Sequence, residues 1–524
     1  MAVVCAALLW AGAPAQIHAE ETDSMDQWNE EPIIGMYVHQ HWSYNHPYAA
    51  RTWTLEDWQG YLGGLRQIGY NTVLIWPVLE TMPNPLTPGD QECLDKISRV
   101  IEYAHKELNM RVFIALCPNV VARDEEASKY SFVKRPFFYC DRRIDPADAA
   151  ALGQMISWRK QLFTPLKDAD GVLIIDSDPG GYPGSNNIEF AYLLDAHRTM
   201  FNQLNPKIQL YYWIHVGWEA YCRFYATAEF AMGEIPEIHE ALQYIAKINP
   251  EPWGIASGRG PHIADSLGMS SRVFSYQYGA IEGEPSFPMT NFNTQFAYKA
   301  GKEKGARGTM GNSQTHCLQL PNAFLFARGA LDQPVPRHED YVEFANRLLP
   351  GHGETIVAAW EALDSVDIQA IEASIPAIEQ LMNQDLETGD LKGLLFHDPQ
   401  RFVKDLLLMQ KTHLALEVFR TAAMDKPRTK DAGRKMLAFV EAISQWQKQH
   451  NYRNMLVWPR MEEALLQVDP GYFEKLFAER SYKGEGATPF EQVQNAYKNV
   501  ESYTPRMIDA MRQCAENLIS QSNE

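Results

Sequence analysis

The 524-residue sequence predicts an α/β fold, a (β/α)8 TIM barrel with a helical C-terminal domain. Three observations carry that reading. Short apolar, β-branched runs alternate with helical stretches eight times over about 300 residues, the arithmetic of a closed parallel barrel, whereas an open doubly wound sheet more often stops at five or six strands. Each run ends in a loop with unusual polar residues, as expected where strand ends converge on a ligand. From about Pro336 onward β-branched runs thin out and apolar residues recur at helical spacing.

In chain order, the predicted strands are Ile33–Val38, Asn71–Pro77, Arg111–Cys117, Gly171–Ile175, Lys207–Ile214, Trp253–Ala256, Arg272–Tyr276 and Ala306–Met310. Between the first two, Thr54 caps a helix, with Asp57 three residues on completing a capping-box-like start. Pro118 to about Pro146 is the longest connection, carrying Arg123, Arg135, Arg142 and Arg143; its length marks it as functional and a candidate lid. Beyond the barrel, Ile356–Leu363, Phe402–Ala422, Met436–Gln449 and Phe490–Leu518 read as amphipathic helices, with Trp360, Trp446 and Trp458 as core residues. The expected division is 1–19 as a signal peptide, 30–335 as the barrel and 336–524 as the helical domain.

Composition narrows the function. Apolar residues make up 45% and charged residues 22%, ordinary for a globular chain, so a sizeable core is available. A net charge of -19 argues against nucleic acid or an anionic membrane surface as partner and favours an uncharged or cationic ligand. The apolar run at residues 2–12, followed by Ile17-His18-Ala19 and two acids, has the form of a signal-peptide core and cleavage site without the usual basic start. The expectation is a secreted or periplasmic protein with no membrane span. Seven dispersed cysteines contain no C-x-x-C pair, and six remain for bridges once a leader is removed. Phosphate-binding glycine loops and a G-x-S-x-G elbow are absent, and no cofactor is called for.

The chemistry concentrates at Gly171-Val-Leu-Ile-Ile-Asp176-Ser177-Asp178-Pro-Gly-Gly181. Side chains two apart on a strand share a face, so Asp176 and Asp178 are expected together at the barrel mouth as the catalytic pair. The loops after the other strands add His39, His41, Tyr44, Glu80, Tyr212, His215, Trp218, Glu219, Tyr276, Tyr278, Glu282, Asn312 and Gln314 as substrate-binding candidates. Flat rings beside hydroxyl and amide groups suit a sugar, and hydrolysis of a glycosidic bond needs two proton-handling or nucleophilic groups.

A strand-four acid pair in a barrel with a helical domain behind it resembles the glycoside hydrolases that use the substrate's own 2-acetamido group as nucleophile, families 20 and 84, and, with D-x-E, family 18. Here the stretch is Asp-x-Asp rather than adjacent acids or D-x-E. The resemblance implies Asp178 as general acid, Asp176 as polariser of the acetamido group, Tyr276 or Tyr278 steadying it, and an N-acetylhexosamine-containing glycan as substrate. One rival is a metal-dependent amidohydrolase-type barrel, with His39, His41 and His215 as ligands. Another is a barrel that binds sugar without turning it over. Oligomeric state and the identity of the sugar are not legible at this level.

Overall fold

The computed structural model describes residues 31–521 apart from 139, 250–252, 282–291, 315, 452–458, 479–483 and 497–499. Strands β1 (Ile33–Val38), β2 (Thr72–Ile75), β3 (Arg111–Leu116), β6 (Gly171–Ile175), β7 (Gln209–Ile214), β8 (Gly254–Ser257), β9 (Val273–Gln277) and β10 (Gly308–Ser313) form a closed parallel barrel in the order β1-β10-β9-β8-β7-β6-β3-β2. The missing numbers are β4 (Val120–Ala122) and β5 (Asp141–Arg143), an antiparallel ribbon inside the long connection. That ribbon is not apparent from sequence, because its three-residue strands are too short for alternation to register. The expected leader at 1–19, Trp458 and Glu282 lie outside the described residues.

The sheet closes where β1 pairs with β10, Ile33 opposite Gly308. At Gly308 φ is +111°, and a Cβ built there would stand 2.1 Å from the Ile33 carbonyl oxygen. Only glycine fits that seam, on both conformational and steric grounds. Alternate residues fill the interior in layers. Phe113, Tyr211 and Phe274 touch lower down, with ring centroids 5.4 and 5.2 Å apart. Above them Tyr37, Trp213 and Tyr276 close the barrel, Trp213 lying 4.4 Å from Tyr276 and 5.7 Å from Tyr37.

Thr54 and Asp57 make the predicted reciprocal cap, each side chain bonding the other's backbone N–H at 3.1 and 2.8 Å. The described secondary structure of the C-terminal region is all helical, with no strand among its described residues. Pro399–Asp425 and Lys430–His450 are its longest early helices and pack face to face, Phe419 stacking on Phe439. In the stretch expected to be helical from Phe490 to Leu518, helices cover Pro489–Ala496 and Val500–Gln521, and 497–499 lie outside the described residues. Trp360 and Trp446 are buried as expected, and one apolar cluster runs from the barrel into these helices. The end of Lys430–His450 grips the loop after β1: Asn45 N–H donates to the His450 carbonyl at 3.1 Å, and its amide reaches the Lys448 and Gln449 carbonyls at 3.2 and 3.0 Å. Among the described residues there is no disulfide; Cys93, Cys117, Cys140, Cys222, Cys317 and Cys514 are separate buried thiols. No described helix is long and apolar enough to cross a membrane.

Candidate active site

Side chains from β1, β2, β6, β7, β9 and β10, with their loops, enclose a cavity of about 30 Å³ at the carboxyl ends of the strands. Tyr37, Trp76, Ile175, Trp213 and Tyr276 contribute apolar surface; Asp178, His39, His41, His215, Asn312 and Gln314 supply polar groups. Phe138, from the long connection, and Tyr278, 53% exposed, complete the lining. A wider groove of about 790 Å³ lies elsewhere, lined by residues such as Arg51, Glu92 and Lys96. It gathers no strand ends, and the mouth is where the chemistry converges.

The two aspartates expected to act together part company. Strand β6 stops at Ile175, which lines the cavity, so the alternation turns Asp176 away from it. Asp178 regains the cavity only because its backbone turns left-handed, φ +65°. Asp176 is fully buried and its carboxylate braces the turn after β7. It accepts from the Tyr212 hydroxyl at 2.9 Å and from the backbone N–H groups of His215, Val216 and Gly217 at 3.2, 3.1 and 3.0 Å. Three successive N–H groups converging on one carboxylate form an anion nest that the protein fills itself. A polariser of bound substrate has to reach the cavity, so that role passes from Asp176.

Asp178 is the sole carboxylate lining the cavity among the described residues. Burial raises its pKa above the usual carboxylate value, while His215 and then Arg143 pull it back. Such an acid keeps its proton closer to neutral pH. Beside it, burial lowers His39 and His41 well below the ordinary imidazole range, with neighbouring histidines and Arg51 adding to the effect. The Tyr37 hydroxyl and His39 Nδ1 are 2.6 Å apart, and Trp42 Nε1–H donates to Gln314 Oε1 at the same distance. Tyr276 donates to Asn312 at 3.0 Å.

Of the other expected residues, the cavity gathers His39, His41, His215, Tyr276, Tyr278, Asn312 and Gln314. Tyr44 stands behind it, stacked on Trp42. Glu80 is buried against Trp76 Nε1 and the Cys117 N–H, and burial raises its carboxyl. Tyr212 points outward to Asp176, while Trp218 stacks on Phe190 and donates to Ser185 at 3.1 Å. Glu219 accepts the Asn187 N–H at 2.9 Å, holding the first turn of the helix Asn187–Leu204. None of these five lines the cavity. Tyr37, Trp76 and Trp213 are cavity residues that a search past the strand ends misses, since they sit within or just at the strands. Counting back by twos from His39 and His215 along β1 and β7 reaches Tyr37 and Trp213.

Among the described residues no three His, Cys, Asp or Glu side chains are grouped to hold a metal ion. His39 and His41 do meet, with ring centroids 4.0 Å apart, but His41 lies flat on Phe137 and His215 Nδ1 is engaged by Ser177 at 2.9 Å. The amidohydrolase-type ligand set does not assemble.

No family model and no curated protein matches this chain. Solved structures of similar fold include a GH138 enzyme targeting pectin rhamnogalacturonan II, at 10% identity and TM-score 0.47 over 92% of this chain and 68% of that one. A GH20 catalytic module of the pneumococcal exo-β-D-N-acetylglucosaminidase follows at 10% identity and TM-score 0.35, over 74% and 99%. The GH20 β-N-acetylhexosaminidase of Streptomyces coelicolor A3(2) stands at 10% and 0.32, over 56% and 63%. The parallel eight-stranded barrel of this chain is given by its own strand pairing.

Proposed function

We propose that this chain hydrolyses a glycosidic bond at the barrel mouth, with Asp178 as the general acid and a glycan bearing an N-acetylhexosamine as substrate. The observation that carries the reading is a single carboxyl, kept protonated toward neutrality by burial, set among tryptophan and tyrosine rings with histidine and amide groups beside them. Rings give the apolar faces of a pyranose a surface, and the amides of Asn312 and Gln314 meet its hydroxyl edge. The space of about 30 Å³ takes a water or so, so a sugar enters with the Tyr278 and Phe138 side chains displaced. Tyr278 is the more exposed of the two.

Acid catalysis by one group makes a specific demand. Asp178→Asn should cut kcat by about 10²- to 10⁴-fold on substrates with poor leaving groups and far less on activated aryl glycosides, which need no proton. Equal losses on both would remove Asp178 as the acid. Binding of a sugar by the wild-type chain with no turnover of any glycoside would favour the non-catalytic sugar-binding reading, to which the same rings and amides lend themselves.

A further inference from the structure

Glycoside hydrolysis asks for a second group besides the acid, and the described cavity holds no second carboxylate. We propose that His215 is that group: a base whose ring is held at Nδ1 by Ser177, leaving Nε2 to take the proton. The assignment rests on the glycosidase reading of the same site.

His215 Nδ1 lies 2.9 Å from the Ser177 hydroxyl. A neutral imidazole carries one N–H, and in the proposed arrangement Nδ1–H donates to that hydroxyl. That leaves Nε2 with its lone pair. Asp176 is fixed by the Tyr212 hydroxyl and by the backbone N–H of His215, which ties the residue that carries the ring to that carboxylate. His215 lines the cavity with Asp178. Asp176 and Ser177 are positioning residues here; His215 is the one that meets the reacting water.

The step balances as a single displacement. Asp178 gives its proton to the glycosidic oxygen as the bond from that oxygen to the anomeric carbon breaks. A water attacks the anomeric carbon and passes one proton to His215 Nε2. The products are a free sugar and an alcohol; the imidazolium then releases its proton to solvent and the Asp178 carboxylate takes one up. No covalent glycosyl-enzyme forms, so the configuration at the anomeric carbon inverts.

Two measurements on the full chain decide the matter. Nitrogen-15 NMR of the unliganded protein should find neutral His215 protonated on Nδ1, and Ser177→Ala should move that proton toward Nε2; an Nε2–H ring in the wild type overturns the proposal whether or not any glycoside is cleaved. In turnover, His215→Ala should lower kcat at least 100-fold, by the same factor on good and poor leaving groups, with KM changed only a few-fold. Azide should restore part of the rate and yield the inverted glycosyl azide. Retention of configuration in the wild-type product, or loss of turnover in Glu282→Gln with His215→Ala still active, would assign the base elsewhere. A leaving-group-dependent loss in Asp178→Asn would still support the acid in either case, so the two readings fail separately.

Discussion

Asp176→Asn tests whether that carboxylate is structural. Its two oxygens receive the Tyr212 hydroxyl and three consecutive backbone N–H groups, all in the interior. An asparagine keeps one oxygen and turns an NH₂ toward donors, leaving about two of the four bonds unmade. Hydrogen bonds to a charged group contribute about 1.5–3 kcal/mol each, so roughly 3–6 kcal/mol is at stake. Part returns, because burial works against the carboxylate and raises its pKa, a cost the neutral amide avoids. The expected net loss is about 2–4 kcal/mol, with Tyr212→Phe, which removes one bond, near ~1 kcal/mol. Urea denaturation followed by tryptophan fluorescence reads both as lower midpoints at unchanged slope. If Asp176→Asn unfolds at the wild-type urea concentration and yet has no activity, the carboxylate serves the reaction directly and the bracing account is wrong.

The remaining expectations concern other parts of the molecule. Because burial raises Asp178, the protonated acid persists above the usual carboxylate range, and kcat/KM should fall on the basic side only as pH passes that raised value; a basic limb at the ordinary carboxylate pH would contradict it. Tyr278→Ala removes an exposed ring from the mouth and should raise KM by about 10-fold with kcat little changed, as measured on aryl glycosides. Gly308→Ala places a methyl against the Ile33 carbonyl at a backbone angle alanine resists, and should cost at least ~3 kcal/mol by thermal unfolding. Arg135 and Asp90 form an ion pair with both side chains fully buried, 2.6 Å apart, so Arg135→Ala should destabilise by about 3–5 kcal/mol in the same assay.

The barrel was legible because its strands are buried on both faces and announce themselves as apolar runs; β1 and β6 begin and end at the residues expected of them. The site was legible in part. Pooling polar residues past the strand ends reached His39, His215, Tyr276 and Asn312, all on the cavity. It also collected Glu80, Trp218 and Glu219, because a residue just past a strand can turn toward the barrel axis or toward the helices, and composition does not say which. The aspartates show the limit most plainly. Period-two reasoning holds only while the chain stays extended, and here extension ends at Ile175, one residue short of Asp176. The left-handed turn at Asp178 is what returns an acid to the cavity, and the prolyl and glycyl residues after it in the sequence signalled a turn without giving its sense.

The hydrogen bonds from Asn45 to Lys448, Gln449 and His450 join positions some 400 apart, and the loop they hold also carries His41 and Trp42. Cutting the chain after the last barrel helix would therefore leave the eight strands their mutual pairing but deprive one wall of the mouth of its anchor. A shortened version of this protein should be judged by whether its catalytic cleft survives, since a well-folded remnant would be no guarantee of a working one.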